Sequence, residues 1–579
     1  MTTPVKPDLP QLGTEPCENR VALTRLGSGP LGAKAKELWI AQQTILDRFD
    51  PSEFTGIKIY VPRATVLTTE IFDAFMLSND LHAPALEKLS DDQVRQAFLQ
   101  ATMPAECVDG LNLLVCRQDC PLEVRSSAVL KGQGAHPLSG VFANKLIPNN
   151  RDQQQRYREL ASAIKLVWAS TFFEKARAYF DTIGQDIAEA SMAVIVQEAV
   201  GQACGDRFYP CISGVARSHN FYPSARAKQE EGVVVLALGL GKTISDGGLV
   251  WSYSPDYPNA PPPFSALGDL LKYTQTLFWA LNLGKPRHAD DTREEQYLVQ
   301  EGLAEAEADG ALKFLVSTFH LGSDRLHSGL SGEGPRALTF APVLGSHFLG
   351  FNQLTCRLLE VFKQAMASPV EIAFAINLDR ERGLPAQVAL QQVQPMMVAH
   401  ERTEVAEEEL LSPNILVASE TVLGNGRRNN IRDIVFLKPE TFDVAFTRFM
   451  AHELASINAS LENQGAEYLL MGFGRWGTSD PWLGMPVTWN QISAARVIVE
   501  ATLPDIEPDL SQGSRFFQYL LSYQILYLAV EDSSPHQINW EWLRRQETIS
   551  EADFVCHVRT AEPLDIRVEG ASSRGVIRF

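Results

Sequence analysis

Residues 56–76, GIKIYVPRATVLTTEIFDAFM, decide the fold class. Ile57 and Ile59 alternate with polar or aromatic residues, which predicts a half-buried strand. Thr68 and Thr69 then stand as candidate helix caps before the apolar run IFDAFM. The stretch therefore predicts a strand, a turn and a helix in that order.

The same kinds of element recur on both sides of this stretch. Before it, small residues in LGSGPLGAKAKEL lead into apolar positions at helical spacing, which predicts a glycine-rich loop followed by a helix. The later expectations are a strand at 122–130, a helix over 155–183, a buried strand at 192–200, a helix near 267–283, and an antiparallel hairpin formed by VEIAFAINLD and AQVALQQVQPM. Alternation of this kind is typical of the α/β (α+β) class.

Composition shifts predict the domain organisation. Residues 1–20 are polar and rich in Pro, as in a flexible tail. The acidic segment 401–412 predicts a linker between a large domain over 21–400 and a separate, smaller α/β domain over 413–579.

The charge balance and the apolar runs limit the partners. The chain has 51 Lys and Arg against 70 Asp and Glu, a net charge of −19, and such a field repels nucleic acid and anionic lipid. The amino terminus has no apolar core behind its first Lys, and no apolar run approaches the ~20 residues of a membrane-spanning helix. We therefore expect a cytoplasmic protein with no nucleic-acid and no membrane partner.

Two glycine-rich motifs invite functional readings. GLGKT at 239–243 is not a Walker A loop, because Leu236 stands where that loop needs a Gly. GFGRWG at 472–477 follows a predicted strand, but no helical pattern follows its last Gly, which disfavours a dinucleotide site. Four side chains near this loop either line a small-ligand pocket or belong to a structural turn: Arg475, Trp476, Asp480 and Trp482.

Two cationic positions favour a phosphate ligand. Lys34 follows small residues that let a backbone approach an anion closely. Arg125 precedes Ser126 and Ser127 at the end of a predicted strand, where a guanidinium and two hydroxyls suit phosphate oxygens. Each position taken alone also fits a surface or structural role.

Taken in order, several segments resemble a known family. PLGAKAKEL, VPRATVLTTEIFDAFM, LEVRSSAVL, LSGVF, MAVIVQEAV, GLGKTISDGG, VEIAFAINL and LQQVQPM are similar to the amino-terminal ATP-binding domain of phosphoenolpyruvate synthase and pyruvate phosphate dikinase. The resemblance covers residues 25–398. It implies an ATP-grasp fold with two subdomains, whose boundary we place near residue 230, and a phosphoryl group that passes from ATP to a His on another domain.

The resemblance also implies roles for individual residues. Arg125 and Gln392 take the catalytic positions, and Gln392 stands at the family's magnesium-binding Gln. Gly140 belongs to the mobile loop that covers the phosphates, and Gln197 and Glu198 lie on the strand that edges the adenine pocket. The complete cofactor-binding set is Lys34, Arg125, Gly140, Gln197, Glu198, Gln392 and Gln394.

Three departures from the family pattern put the chemistry in question. Lys131 and Gly132 replace an acidic pair, Ala373 replaces the metal-binding Glu, and Gln394 replaces the phosphate-binding Arg. Mg²⁺ takes one or two carboxylates beside a nucleotide, and phosphoryl transfer depends on positioned charge. Glu371, about 6.6 Å along the strand from Ala373, is the candidate replacement ligand if a bulge brings it in.

The sequence leaves three functions open. The first is a kinase module that uses ATP and Mg²⁺ to phosphorylate a small molecule or the His of a separate carrier protein or homologous subunit. The second is a catalytically degenerate subunit that serves as a scaffold or nucleotide sensor. In the third, the functional domain is 413–579, which resembles the tail of bacterial phosphoenolpyruvate-synthase-like proteins through SQGSRFF and the GFGRWG region.

Overall fold

The computed structural model describes residues 9–12, 22–50, 52–81, 86, 89–129, 140–223, 227–258, 267–285, 293–320, 325–345, 350–378, 385–396, 403–502, 514–532 and 534–579. The chain divides into two compact units. The first unit is Met1–Ser218, Val233–Thr243 and Leu249–Met396, and the second unit is His219–Gly232, Ile244–Gly248 and Met397–Phe579. Two short segments inside the predicted 21–400 domain thus belong to the second unit. Most of the predicted tail lies outside the described residues, although Leu9 is buried and Gln11 pairs with Arg25.

The first sheet of the first unit has five strands. Their order is Leu23–Leu26, Ala64–Leu67, Ser191–Glu198, Leu122–Val129 and Asn144–Ile147. The helices described in the same part of the chain include Thr69–Ser78, Asp91–Gln100, Ala105–Arg117, Gln153–Ala169 and Glu174–Thr182. The single helix predicted over 155–183 is wrong. Ser170 donates a side-chain hydrogen bond to the Val167 carbonyl (2.6 Å), and the chain turns through Ser170–Phe172 before the second helix starts.

The second sheet of the first unit has six strands and contains the predicted hairpin. Its order is Trp251–Tyr253, Val233–Ala237, Ile212–Arg217, Val370–Asn377, Ala386–Pro395 and Ile57–Tyr60. The hairpin pairs Glu371 with Gln394 and Ala373 with Gln392, and its register skips Gln391 in a β-bulge. Helices Ala33–Arg48 and Phe351–Met366 pack on this sheet.

Two smaller sheets complete the first unit. One has the order Leu298–Gly302, Leu277–Asn282, Arg207–Tyr209 and Gln202–Cys204, and the other has Arg325–Ser328, Val316–His320 and Arg336–Leu338. The helices here are Leu267–Tyr273, Leu303–Ala308 and Ala341–Leu344, and the short helix Lys242–Ser245 lies where the chain passes between units. The helix predicted near 267–283 therefore ends at Tyr273. Buried Phe278 and Ala280 alternate along a strand instead.

The second unit is built on a seven-stranded sheet. Its order is Thr421–Leu423, Leu526–Val530, Ala495–Ala501, Tyr468–Phe473, Asp433–Leu437, Val555–Arg559 and Glu547–Glu551. The second to fifth of these strands are mutually parallel and almost wholly buried, as parallel strands generally are. Helices Thr447–Asn463 and Arg515–Ser522 lie on two of the crossovers.

The rest of the second unit is a four-stranded sheet and short elements. The sheet has the order Ile415–Ser419, Arg574–Arg578, Asp565–Glu569 and Asn425–Arg428, and Arg475–Trp476 pairs with Gly484–Met485. The short helices are Glu407–Leu411 and Trp540–Leu543. Part of the predicted acidic linker is thus structured, and Leu410 is buried there. Within the described ranges, no helix has both the length and the apolar composition needed to cross a membrane.

Together these observations confirm the predicted α/β class. A large unit carries two main mixed sheets with helices against them, and a separate smaller unit has a largely parallel sheet.

Candidate functional site

The loop before Lys34 packs closely against the strand that carries Arg125 and is hydrogen-bonded to it. Ser127 Oγ accepts from the Ala35 amide (3.1 Å) and donates to the Leu31 carbonyl (2.9 Å), so it satisfies one of the amide groups at the start of the helix. Gly32 lies at φ 77°, and a Cβ there would overlap the Ser127 backbone. The small residues of this loop therefore let the helix start close against the strand.

Lys34 and Arg125 are brought to the same region by this contact. Lys34 Nζ donates to Ser126 Oγ at 3.3 Å, next to Arg125 in the strand Leu122–Val129. The guanidinium of Arg125 is buried, and its Nε lies 3.8 Å from Glu123 Oε1. Two cations predicted from separate motifs thus converge, as a polyanion site requires.

Arg125 bridges the first and second sheets. Its Nη1 donates to Gln197 Oε1 (3.1 Å) in the first sheet and to the carbonyl of Gln391 (2.7 Å) in the second. Its Nη2 donates to Gln392 Oε1 at 2.9 Å. Gln391 is the residue that the hairpin register skips, and the bulge leaves its carbonyl available to Arg125.

A chain of hydrogen bonds continues from Gln392 across the second sheet. Gln392 Nε2 donates to Gln394 Oε1 (2.7 Å), and Gln394 Nε2 donates to Glu371 Oε1 (2.7 Å). Arg217 Nε then donates to Glu371 Oε2 at 2.7 Å. We call this series, from Arg125 through Gln392, Gln394 and Glu371 to Arg217, the Arg125–Arg217 network.

The far end of the network is a buried ion pair. Arg217 is 1% exposed and Glu371 is 8% exposed, and the two are cross-strand neighbours. Removing one member of such a pair leaves an uncompensated charge, which typically costs about 3–5 kcal/mol. The negative charge of Glu371 is therefore already committed to a partner within the protein.

Glu37 is a residue of this site that the sequence analysis missed. It lies one helical turn after Lys34, and its Oε2 is buried with no hydrogen-bond partner among the described residues. Burial raises the pKa of Glu37 to about 7, Lys34 and Arg125 oppose the shift, and Glu371 adds to it. The i, i+3 spacing from Lys34 was the available signal, since it places both residues on one helix face.

The remaining predicted site residues lie apart from the network or at its edge. Side chains alternate along Ser191–Glu198, so Gln197 faces Arg125 whereas Glu198 is paired with Arg63 (Nη2 to Oε1, 2.8 Å). Gly140 lies at φ 71° and follows residues 130–139. Those ten residues, with Lys131 and Gly132, are outside the described part of the chain.

The donor set in this arrangement does not fit Mg²⁺. Glu371 Oε2 accepts a hydrogen bond from Arg217, and Glu371 Oε1 accepts one from Gln394. Gln392 Oε1 accepts from Arg125, and the methyl side chain of Ala373 has no atom that could bind a metal. Among the described residues, no three His, Cys, Asp or Glu side chains group as a metal site. The metal role of Gln392 and Glu371 stays a prediction.

Comparison with known proteins assigns the larger part of the chain. Residues 30–413 match the family model described as the pyruvate phosphate dikinase AMP/ATP-binding domain. The matched range holds every predicted site residue from Lys34 to Gln394 and confirms the ATP-binding module. No curated protein matches the chain.

Proposed function

The chain belongs to the family of the pyruvate phosphate dikinase AMP/ATP-binding domain, and from that premise we propose that it is a nucleotide sensor, which binds ATP but does not transfer its phosphoryl groups. Lys34 and Arg125 bind the phosphates. The observation that carries the proposal is the Arg125–Arg217 network, in which Glu371 is paired with Arg217 and Gln394 is an uncharged link.

ATP binding and phosphoryl transfer place different demands on the charged side chains of this site. ATP needs cations on its phosphates, and Lys34 and Arg125 supply them by a point charge and a planar fork. Transfer needs further charge that neutralises the moving group, and it depends almost entirely on such electrostatics. Gln394 donates an amide hydrogen to Glu371 and adds no positive charge. The site therefore supports ATP binding better than phosphoryl transfer.

Phosphate binding also supplies a sensing mechanism. Arg125 donates to the Gln391 carbonyl and to Gln392 Oε1, and phosphate oxygens compete for the same N–H groups. Binding therefore exchanges hydrogen bonds between the first and second sheets for bonds to the ligand. A ligand shifts an equilibrium only through such differential contacts.

Unfolding measurements with ATP test the proposal. ATP at about 100 times its Kd should raise the free energy of unfolding of the wild type by about 2.7 kcal/mol. Lys34→Met should lose most of this stabilisation. Lys36→Met, an exposed residue on the same helix, is the matched control and should retain it. Equal stabilisation of both variants, or none in the wild type, contradicts the proposal.

A second candidate is phosphoryl transfer to a small molecule or to the His of a carrier protein. The convergence of Lys34, Arg125 and Gln392 supports it, because the resemblance to the family implies phosphate-binding or catalytic roles for these three residues. Release of ADP or AMP from ATP by the purified protein, lost in Arg125→Gln, would replace the sensor function with this one. Addition of Mg²⁺ to the assay covers the metal that the resemblance implies.

A further inference from the structure

The second unit exposes a cluster of aromatic side chains. Phe446 is 44% exposed, Phe449 is 64% exposed and Trp482 is 69% exposed. The Phe446 ring lies 6.3 Å from the Phe449 ring and is stacked at 5.6 Å on that of Phe554, whose amide donates to Glu453 Oε2 (3.0 Å). We call the four aromatic side chains, all of the second unit, the aromatic surface. Single exposed apolar residues are ordinary, whereas clustered aromatic ones are typical of protein-binding sites.

Hydrogen bonds join the segment of Trp482 to that of Phe446. Thr447 directly follows Phe446, and its hydroxyl donates to the carbonyl of Pro481, the residue before Trp482 (3.3 Å). The Trp482 amide in turn donates to Asp480 Oδ1 at 3.0 Å. Contacts within the second unit therefore already fix the backbone that carries these rings, which lowers the ordering entropy that a partner has to overcome.

Carboxylates surround the aromatic surface. Asp443, Asp480 and Asp553 are exposed, and each lies within three residues of one of its aromatic side chains. Asp443 and Asp480 accept from backbone amides of short helices, which fixes their carboxylates. Arg448 is the one exposed cation in the described segments 443–449, 480–482 and 553–554. The surface thus has a negative rim, and its complement is a partner that carries positive charge.

The same charges disfavour two other occupants. If two copies of the chain paired through this surface, the carboxylates of one copy would face those of the other, which is unfavourable. Anionic lipid is repelled by the rim and by the net charge of −19. An indole ring such as that of Trp482, by contrast, attracts guanidinium and ammonium groups over its face.

We propose that the aromatic surface docks a basic amphipathic segment of another protein. Apolar side chains of the segment pack on Phe446 and Phe449, an Arg or Lys side chain lies over Trp482, and further basic side chains face the three aspartates. This interaction belongs to the second unit and does not depend on the binding of ATP.

Two labelled model peptides test the proposal on the full-length protein. One peptide has leucines on one face of a helix and lysines on the other, and the second has glutamates in place of the lysines. The salt concentration is about 0.15 M, at which exposed charges more than ~8 Å apart are largely screened. Fluorescence anisotropy should show saturable binding of the lysine peptide at micromolar concentrations and no binding of the glutamate peptide. Equal binding of the two peptides, or binding of neither, would overturn the proposal.

Matched variants separate this surface from the overall negative charge of the chain. Phe449→Ser and Trp482→Ser should each weaken binding of the lysine peptide about tenfold or more, because exposed aromatic anchors dominate interfaces. Leu77→Ser, at a position of the first unit that is 79% exposed, is the control and should bind as the wild type does. Asp443→Asn with Asp480→Asn preserves both helix caps and should also weaken binding. Wild-type affinity in Phe449→Ser and Trp482→Ser would overturn the proposal.

Two further measurements identify the alternative occupants. We expect wild type and Phe449→Ser to sediment alike at all concentrations, and we expect no binding of the wild type to phosphatidylcholine vesicles. Concentration-dependent association that Phe449→Ser abolishes would assign the surface to a second copy of the chain and overturn the proposal. Vesicle binding that Trp482→Ser abolishes would assign it to a membrane and overturn the proposal as well.

Discussion

The two sheets that Arg125 bridges differ in what their charged side chains contact. On the side of the first sheet, Lys34 and Arg125 converge beside Ser126, and the resemblance to the family predicts a phosphate-binding role for both. On the side of the second sheet, Glu371 is paired with Arg217, and the uncharged Gln394 donates to Glu371 at the position where the resemblance predicts a phosphate-binding Arg. In the proposed function, the groups that hold a triphosphate and the groups that would transfer its phosphoryl lie on different elements, so one set can be lost without the other.

The largest expected effect tests the second-sheet side. Arg217→Met should lower the free energy of unfolding by about 3–5 kcal/mol, because it leaves Glu371 buried without its cation. Urea unfolding at pH 7 measures the change. The double variant Arg217→Met with Glu371→Gln should recover most of the loss, and a double variant as unstable as the single one would refute the assignment of Glu371 to Arg217.

The second effect concerns Glu37, whose pKa is influenced by Lys34 and Arg125 on one side and by Glu371 on the other. Its pKa is raised from 4.5 to about 7, so the folded state retains a proton that the unfolded chain releases. The stability from this proton is fully present below about pH 4.5 and is lost as the pH rises through about 7, a change of up to about 3 kcal/mol. Relative to the wild type, Glu37→Gln should therefore gain stability between pH 5 and pH 8. Parallel pH profiles of unfolding for the two proteins would contradict this.

The third effect tests the first-sheet side. Arg125→Gln should weaken ATP binding about 10- to 100-fold, because it removes charge-assisted hydrogen bonds to phosphate. Calorimetric titration measures it, and Arg63→Gln, whose side chain is largely exposed and pairs with Glu198, is the control. Equal ATP affinities in the two variants would contradict a role of Arg125 in phosphate binding.

The smallest effect tests how the helix of Lys34 is held. Ser127→Ala removes hydrogen bonds to the Ala35 amide and the Leu31 carbonyl and should cost about 1–2 kcal/mol. Chemical unfolding measures the loss. Ser252→Ala, at an exposed position of a strand, should change the stability by less than about 0.5 kcal/mol. Similar losses in both variants would show that Ser127 does not anchor the helix.

Sequence patterns predicted those parts of the site that lie within continuous motifs. The strand that carries Arg125, the helix after the PLGA loop and the hairpin of Gln392 all have strong local periodicity. Arg217 was missed because only the register of three strands places it opposite Glu371. A hairpin pattern alone does not specify its other neighbour in the sheet.

The errors in secondary structure have local causes. The 155–183 pattern remains helical in composition, but the Ser170 side chain bonds to the preceding turn and ends the first helix. Near 267–283 the apolar run fits a helix or a strand, and tertiary packing of Phe278 decides for a strand after Tyr273. In the second unit, Arg475 and Trp476 of the GFGRWG loop line a small cavity with Tyr222 and Glu500, whereas Asp480 and Trp482 are not part of its lining. The sequence left a pocket and a structural turn open as alternatives, because Tyr222 and Glu500 are distant from this loop along the chain.

Single-turnover analysis with labelled ATP tests the central claim most directly. The protein in excess is mixed with ATP labelled at the α-phosphate in the presence of Mg²⁺, and the nucleotide retained by the protein is separated and identified. We predict that the label stays bound and is recovered as intact ATP. Recovery as ADP or AMP, or no retention of label by the protein, would contradict a module that binds ATP without transferring its phosphoryl groups.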